Sequence, residues 1–337
     1  DVVNQGYASD NEVTPGQAVQ VGAGALMPEG TNAVVAIAAV RRADDSSEVE
    51  IVQAVTVGSG VIRTGSHRQI GAAVVPAGTR LLDRELAAVA TAGHARVSVH
   101  PQPRVVVVTV GDELVDTTRA LTSGLVHDSV SVMLTAAGDQ AGATTFRGGP
   151  CRRDRQALAR TIEDQLVRAD LIVVVGEDDG EPHPGEGLVA AALKEAGCED
   201  LEYCHLGPGP AIGLGTLGED QIPVVTVGRT PLAAFVGFEV AVRPIIAALA
   251  GRGSLFRPVV RANLTDQIES RGGRREFFPA IVRLDSTSQR ALVTVLHEPA
   301  DEAALWLFRA NALVIVPEAA TALPAHEEVA VIRLDRE

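Results

Sequence analysis

The sequence predicts an α/β fold with β-rich flanks. A central parallel-sheet α/β domain is expected at 101–252, after a β-rich portion at 1–62 and a linking segment at 63–100, and before a small β domain at 253–337. Three observations carry this. The apolar runs Val105 to Val110, Leu171 to Val175 and Val224 to Val227 alternate with helical patterns, as strands covered on both faces require. Ahead of residue 63 the apolar segments are short and alternating, punctuated by Pro15-Gly16, Pro28-Glu29-Gly30 and Gly58-Ser59-Gly60. After Gly251-Arg252-Gly253-Ser254, which reads as a hinge, strand-like runs return with no long helix between most of them.

In chain order, strands are expected near Gln17 to Val21, Ala33 to Ala38 and Val49 to Val57. A helix from Asp83 to Ala92 ends at Gly93, a residue suited to the left-handed conformation that closes helices. Strand 105–110 leads into helical sequence near Asp128 to Ala137 and a weaker strand near Thr144. The helix 154–169 carries Leu158, Ile162 and Leu166 on one face, with Asp154 placed to cap it. Strand 171–175, helix Leu188 to Ala196, strand 224–227 and helix Pro231 to Leu249 follow, the last opened by Thr230-Pro231. Strands at 259–264, 277–284, 291–297, 312–316 and 329–334 complete the chain.

Composition bounds the function. At 337 residues the chain exceeds a single core, and 46% hydrophobic with 21% charged residues describes a globular protein. A net charge of −14 lacks the basic stripe of a nucleic-acid binder. Apolar runs are of strand length and predict no membrane insertion. Lys194 is the single lysine, so any mechanism needing a lysine elsewhere is excluded. Cys151, Cys198 and Cys204 form no C-x-x-C pair, which argues against a disulfide framework or a cysteine zinc site and favours a reducing, cytoplasmic setting.

In an open α/β sheet, ligands sit beyond the carboxyl ends of the strands. Three such loops draw attention: Thr109 to Leu114, Gly176 to Gly180, and Val227 to Pro231. The acidic stretch holding Glu177, Asp178, Asp179, Glu181, His183 and Glu186 does not have EF-hand spacing, and a solvated loop is favoured over a metal site. Cys204 and His205 are read as strand residues in preference to ligands.

The first loop, within the run PRVVVVTVGDELV, resembles the strand and S-T-G-D-E-L of the molybdopterin-molybdotransferase (MoeA/gephyrin E-domain) family. Other segments match that family in order: Pro15 to Val19, Met27 to Val35, Ala92 to Val97, Phe238-Glu239 through Arg243-Pro244, Arg275-Glu276-Phe277 and Ala310 to Leu313. The resemblance runs along essentially the whole chain. It implies a multidomain protomer with a MogA-like molybdopterin-binding α/β domain, paired as an elongated homodimer, in which 1–62 is the family's domain II and 63–100 an incomplete domain I. Active members bind adenylylated molybdopterin, insert molybdate with a divalent cation such as Mg2+, and release AMP.

Carried over by motif, the resemblance makes Asp112 and Glu113 the catalytic candidates, and Gly111, Gly176, Asp179, Arg229 and Pro231 the substrate-binding ones. Glu113 and Asp154 are the candidate metal ligands, with a plain helix cap favoured for Asp154. Other family positions differ. A threonine corresponds to Ala23, an aspartate to His67, and K-P-G-K-P to Gly207-Pro208-Gly209-Pro210-Ala211, which has no cation. Added carboxylates in loop 177–186 would repel an anionic pterin. These departures point to a catalytically degenerate dimeric scaffold needing no cofactor. It would bind a protein or peptide, with a cytoskeletal or cell-division protein such as FtsZ as the example drawn from gephyrin. The alternative is a working molybdotransferase using arginines. For the scaffold, Phe256, Phe278 and Trp306 are candidate anchors; Phe277 and Phe308 join them by position, although a core role is favoured for both.

Overall fold

The computed structural model describes residues 2–7, 9, 12–42, 47–177, 186–286, 290–297 and 302–334. They fall into two compact units, Asp1–Val75 and Pro76–Glu337.

In the first unit, β1 (Val2–Val3) pairs in parallel with β2 (Gln20–Val21), and β3 (Val40–Arg42) pairs antiparallel with β4 (Val49–Ile51). The turn Pro28-Glu29-Gly30 is held by Val13 N–H donating to Glu29 O at 2.8 Å. Gly30 has φ +82°, and a Cβ there would stand 2.1 Å from the Val13 carbonyl oxygen, so only glycine fits. The strand expected over 33–38 is absent. Val34 N–H bonds Ser59 O, and the chain tightens into a 3-10 turn at Ile37–Ala39, which satisfies its backbone locally and leaves Ile37 exposed.

The second unit opens with α1 (Asp83–Thr91), where Glu85 returns a carboxylate to the Leu82 N–H and Gly93 adopts φ +81° past the end. Then come β5 (Arg104–Thr109), β6 (Leu114–Val115), β7 (Val126–His127), α2 (Ser129–Gln140), β8 (Thr144–Arg147), α3 (Arg155–Leu166), β9 (Leu171–Glu177) and α4 (Leu188–Glu195). Next are β10 (Glu202–Cys204), β11 (Leu206–Gly207), β12 (Ile212–Leu217), β13 (Ile222–Gly228), α5 (Pro231–Gly237) and α6 (Arg243–Leu249).

The central sheet has the order β10-β12-β13-β9-β5-β8, with β13, β9, β5 and β8 parallel and β12 and β10 added antiparallel. Alternation within each buried run sorts residues to opposite faces. Val106, Val108, Ile172 and Val174 pack under α3 and α4 through Leu158, Ile162, Ala192 and Leu193. Val105, Val107, Leu171 and Val173 pack under α2, α5 and α6 through Leu134, Ala234 and Ile246. Each such side chain, fully removed from water, stabilises the fold by about 1.5–3 kcal/mol.

The helix expected from 231 to 249 is interrupted by a π turn at Phe238–Val242. Within it Glu239, whose side chain is 3% exposed, accepts from Arg243 Nε at 2.8 Å and from Arg257 Nε at 2.7 Å. Among the described residues, Pro231–Leu249 is the one helical stretch long and apolar enough to cross a membrane. Its apolar face is spent on the sheet, through Ala234, Phe238, Val242 and Ile246.

Residues 251–254 are not a free hinge. Arg252 Nη2 donates to Ala141 O at 2.6 Å, and Gly251 lies against the His100 ring, where a Cβ would approach to 2.2 Å.

The C-terminal strands β14 (Val259–Leu264), β15 (Ile268–Glu269), β16 (Arg275–Leu284), β17 (Ala291–Val295), β18 (Ala312–Val316), β19 (Ala322–Leu323) and β20 (Glu328–Arg333) are joined by the short helix α7 (Ala303–Trp306). The order β16-β17-β14-β20-β18 closes because β16 also pairs with β18, giving a barrel around Leu264, Val293, Val314 and Val331. The short strand β11 joins this barrel, pairing parallel with β16 through Leu206↔Arg275 and Gly207↔Glu276. Beside that seam, Leu232 and Val236 of α5 pack with Phe277, Trp306 and Leu313.

Two outcomes are expected. Glu239→Ala leaves two arginines facing one another in a buried site and lowers unfolding free energy by roughly 3–5 kcal/mol, measured by urea denaturation. Asp170 accepts from Arg104 Nη2 at 2.8 Å, and the Arg104 guanidinium lowers its carboxyl pKa. A depressed carboxylate contributes stability above its unfolded pKa and loses it as pH falls through the folded one. Asp170→Asn therefore lowers Tm at pH 7, and the gap from the wild type closes in acid.

Candidate functional site

The strand order places a crevice. From β5 the chain crosses first to β8 on one side and then to β9 on the other, so neighbouring loops diverge at the carboxyl ends of β5 and β9. Ligand sites in open α/β sheets form at such a reversal.

The loop after β5 is rigid at its root. Gly111 N–H donates to Cys151 O at 3.0 Å, and Cys151 N–H donates to Thr109 O at 2.8 Å. Thr109 Oγ1 donates to the buried Asp128 Oδ2 at 2.6 Å, while Asp128 Oδ1 caps α2 by accepting from Ser131 N–H at 3.0 Å. A buried carboxylate satisfied in this way fixes strand end and helix start together. The Glu113 carbonyl accepts from Val126 N–H at 2.9 Å, which anchors its backbone through the β6–β7 pairing.

Of the expected catalytic pair, Asp112 is turned to the neighbouring loop, where its Oδ1 accepts from Arg153 N–H at 3.2 Å. Glu113 faces Arg229 across the crevice, Oε1 to Nη1 at 3.5 Å. Because β9 lies between β5 and β13, this ion pair passes over the carboxyl end of β9.

The substrate-binding candidates separate. A Cβ on Gly111 would lie 2.9 Å from Glu113 Oε2, so glycine lets the carboxylate fold over the backbone. Gly176 serves packing: a Cβ would meet Val110 at 2.9 Å and Val189 at 3.0 Å, and the residue is a core contact where a ligand contact was expected. Pro231 stands at the first turn of α5, with Thr230 Oγ1 capping the Ala233 N–H at 3.3 Å. Asp179 and most of the acidic loop, 178–185, lie outside the described residues, as does the Glu177 side chain.

The metal expectation changes. Asp154 Oδ1 accepts from Ala157 N–H at 2.8 Å as the cap of α3, Asp112 is engaged by the backbone of Arg153, and Glu113 pairs with Arg229. Among the described residues, no group of three or more His, Cys, Asp or Glu side chains could hold an ion. This donor set does not fit a divalent cation held by Glu113 and Asp154.

Reasoning from sequence missed Arg274. The segment 207–210 has no cation of its own, and it is pressed against the third loop: a Cβ on Gly228 would lie 2.7 Å from Pro210, and one on Gly209 would lie 2.4 Å from Ala233. Arg274, arriving from the barrel, donates from Nη1 to Gly209 O at 3.1 Å and pairs through Nε with the buried Glu276 at 3.5 Å. Glu276 also accepts from Ser270 Oγ at 2.7 Å. The available signal was the run Gly272 to Glu276, two glycines followed by two arginines and a glutamate.

The aromatic anchors are corrected. Trp306 and Phe277 are buried in the seam, and Phe278 packs against the barrel core, so the first and last are not surface anchors. Phe308, expected in the core, is exposed, as is Phe256. Cys204 is a strand residue of β10.

Comparison with known proteins agrees with this architecture. Residues 2–93 match the model of the MoeA N-terminal region (domain I and II), and residues 261–334 match the MoeA C-terminal region (domain IV). The molybdopterin molybdenumtransferase 1 of Mycobacterium tuberculosis is 34% identical over 331 residues, covering 97% of this chain and 76% of that protein. Its molybdopterin molybdenumtransferase 2 is 30% identical over 314 residues, covering 93% and 76%. The crystal structure of a molybdopterin biosynthesis MoeA protein from Pyrococcus horikoshii superposes with a TM-score of 0.84 at 25% identity, over 99% of this chain and 80% of that one. With a relative this similar along nearly its whole length and the same multidomain fold, a MogA-like α/β domain between β-rich portions, the chain belongs to the MoeA family.

Proposed function

We propose that the chain is a molybdopterin molybdotransferase, which takes adenylylated molybdopterin and molybdate and releases AMP. The observation that carries the reading is the crevice at the β5–β9 reversal, with an arginine at its rim, in a chain whose relatives at 34% and 30% identity are named molybdopterin molybdenumtransferases. Release of AMP breaks a phosphoanhydride, so negative charge grows on the departing phosphate oxygen. Guanidinium groups fixed beside it stabilise that charge and orient the phosphates in two-pronged fashion. Arg229 is presented from the end of β13, and Arg274 is held over loop 207–210 by Glu276. The two arginines take the place of the cations that loop 207–211 lacks. Thr109 and Asp128 hold the crevice floor and make no contact with substrate in this reading.

The scaffold alternative has less support, because, of its three chosen anchors, Trp306 is buried in the seam and Phe278 is partly buried against the barrel core. Its remaining support is the exposure of Phe256 and Phe308.

A homodimer belongs to the same proposal. Among the described residues, the first unit buries few large apolar side chains, Val3 and Val13, while Ile37, Val57, Ile62 and Ile70 are exposed in the single chain. Several large apolar side chains exposed on one small unit are consistent with a surface covered by association, and a two-fold interface presents the same surface from both subunits.

Two measurements decide these points. Purified protein given adenylylated molybdopterin and molybdate should release AMP, and Arg274→Ala should lower that rate by at least about tenfold, as expected for a lost charge-stabilising group; no AMP from the wild type sinks the enzyme reading. Light scattering at micromolar concentration should give twice the chain mass, and a monomeric mass sinks the dimer.

A further inference from the structure

The Glu113–Arg229 pair joins two side chains whose backbones are fixed and whose ends are wet. Glu113 is anchored through its carbonyl to Val126 N–H. Arg229 follows Gly228, which is wedged against Pro210 and Ala233. Yet the pair is 3.5 Å long, and its side chains are 51% and 35% exposed for Arg229 and Glu113. An ion pair of that length and exposure contributes little to stability, on the order of 0–1 kcal/mol. It is therefore readily exchanged for a stronger partner. A phosphate offers one: its oxygens match the planar fork of a guanidinium and carry more charge than a carboxylate.

We propose that Arg229 is a receptor for a phosphate-bearing anion and that Glu113 is its internal competitor. In the free protein Glu113 is one partner of the guanidinium; the anion displaces it, and the carboxylate swings away from a site that has become negative. Glu113 thus sets anion affinity downward, keeping the arginine screened until a polyvalent anion arrives. The carboxylate has somewhere to go. The Glu113 side chain is already 35% exposed, so its carboxylate can turn from Arg229 into water. This rests on the reading of the crevice as the substrate site, but not on turnover.

The inference gives Glu113 a sign opposite to that of a cation-binding residue. If Glu113 served the anion by holding a metal, neutralising it would weaken anion binding. If it competes for Arg229, neutralising it tightens binding, and without any metal. The probe is inorganic pyrophosphate, titrated calorimetrically into the purified protein at fixed ionic strength with a chelator present. Glu113→Gln should bind pyrophosphate about three- to tenfold more tightly than the wild type, the modest factor expected from removing a weak surface ion pair. Arg229→Gln should bind at least about tenfold more weakly, as loss of a charge-assisted contact implies. In the double variant the gain from Glu113→Gln should disappear. Circular dichroism and Tm confirm that each variant is folded; both side chains are at the surface, so Tm should hold. Weaker or unchanged binding in Glu113→Gln overturns the proposal, as does unchanged binding in Arg229→Gln or no binding to any form. Because AMP release is scored separately, failure here with AMP still released leaves the enzyme reading standing. The reverse pattern would leave an anion site without the proposed reaction.

Discussion

The structure depends on β5 being enclosed on every side. Its backbone is bonded to β8 and β9, and its side chains alternate between two helical layers, so Val105 and Val107 face one core while Val106 and Val108 face the other. A strand held in this way cannot slip by one residue without exchanging the two faces of its core. Its carboxyl end is consequently a fixed point from which the loop at 110–114 projects. Thr109 and Asp128 extend that rigidity past the last ladder bond into α2.

The phosphate chemistry proposed for the crevice depends on where positive charge can be supplied. In many phosphate sites cations lie on the loop that touches the ligand, but here the loop 207–210 is built for closeness, with Gly209 and Pro210 against Ala233 and Gly228. Charge comes from its two sides, from Arg229 in the sheet domain and from Arg274 in the barrel. Each guanidinium is matched to a glutamate, but in different settings. Glu276 is buried and held by Ser270, a fixed support, whereas Glu113 is half-exposed and weakly paired.

Much of the fold was legible because burial on two faces leaves a strong trace: apolar runs at 105–110, 171–175 and 224–227, broken only by Thr109 and Thr226, lie in strands β5, β9 and β13 or directly adjoin them. Elements whose form is set by distant packing were not. β12 contains Gly213 and Gly215, poor strand formers, yet a Cβ on either would strike Thr226 or Cys198 at 2.6 Å or less. The π turn at 238–242 has the same apolar spacing as a continuous helix; its burial of Glu239 beside Arg257, 18 residues on, has no local signature. The site was half legible. Asp112, Glu113 and Arg229 follow from strand ends, but Arg274 enters through a parallel pairing between segments 69 residues apart in register, Leu206 with Arg275. Trp306 and Phe308 show the limit for side chains: neighbours on a short helical turn, one faces the seam and the other water.

The strand β11 has a thermodynamic meaning beyond geometry. Two residues of the sheet domain, Leu206 and Gly207, are also part of the barrel's edge, and the segment that continues from them borders the crevice. Any molecule that binds only when 207–210 is in place must also favour the barrel being docked, because both require the same backbone. By linkage, occupancy at a hundred times the dissociation constant would add about 2.7 kcal/mol to that docked state. The reciprocal holds as well: loosening the barrel from its seam would weaken binding at the crevice, beside which it holds Arg274. The C-terminal barrel is in this sense a ballast whose stability is read out as affinity.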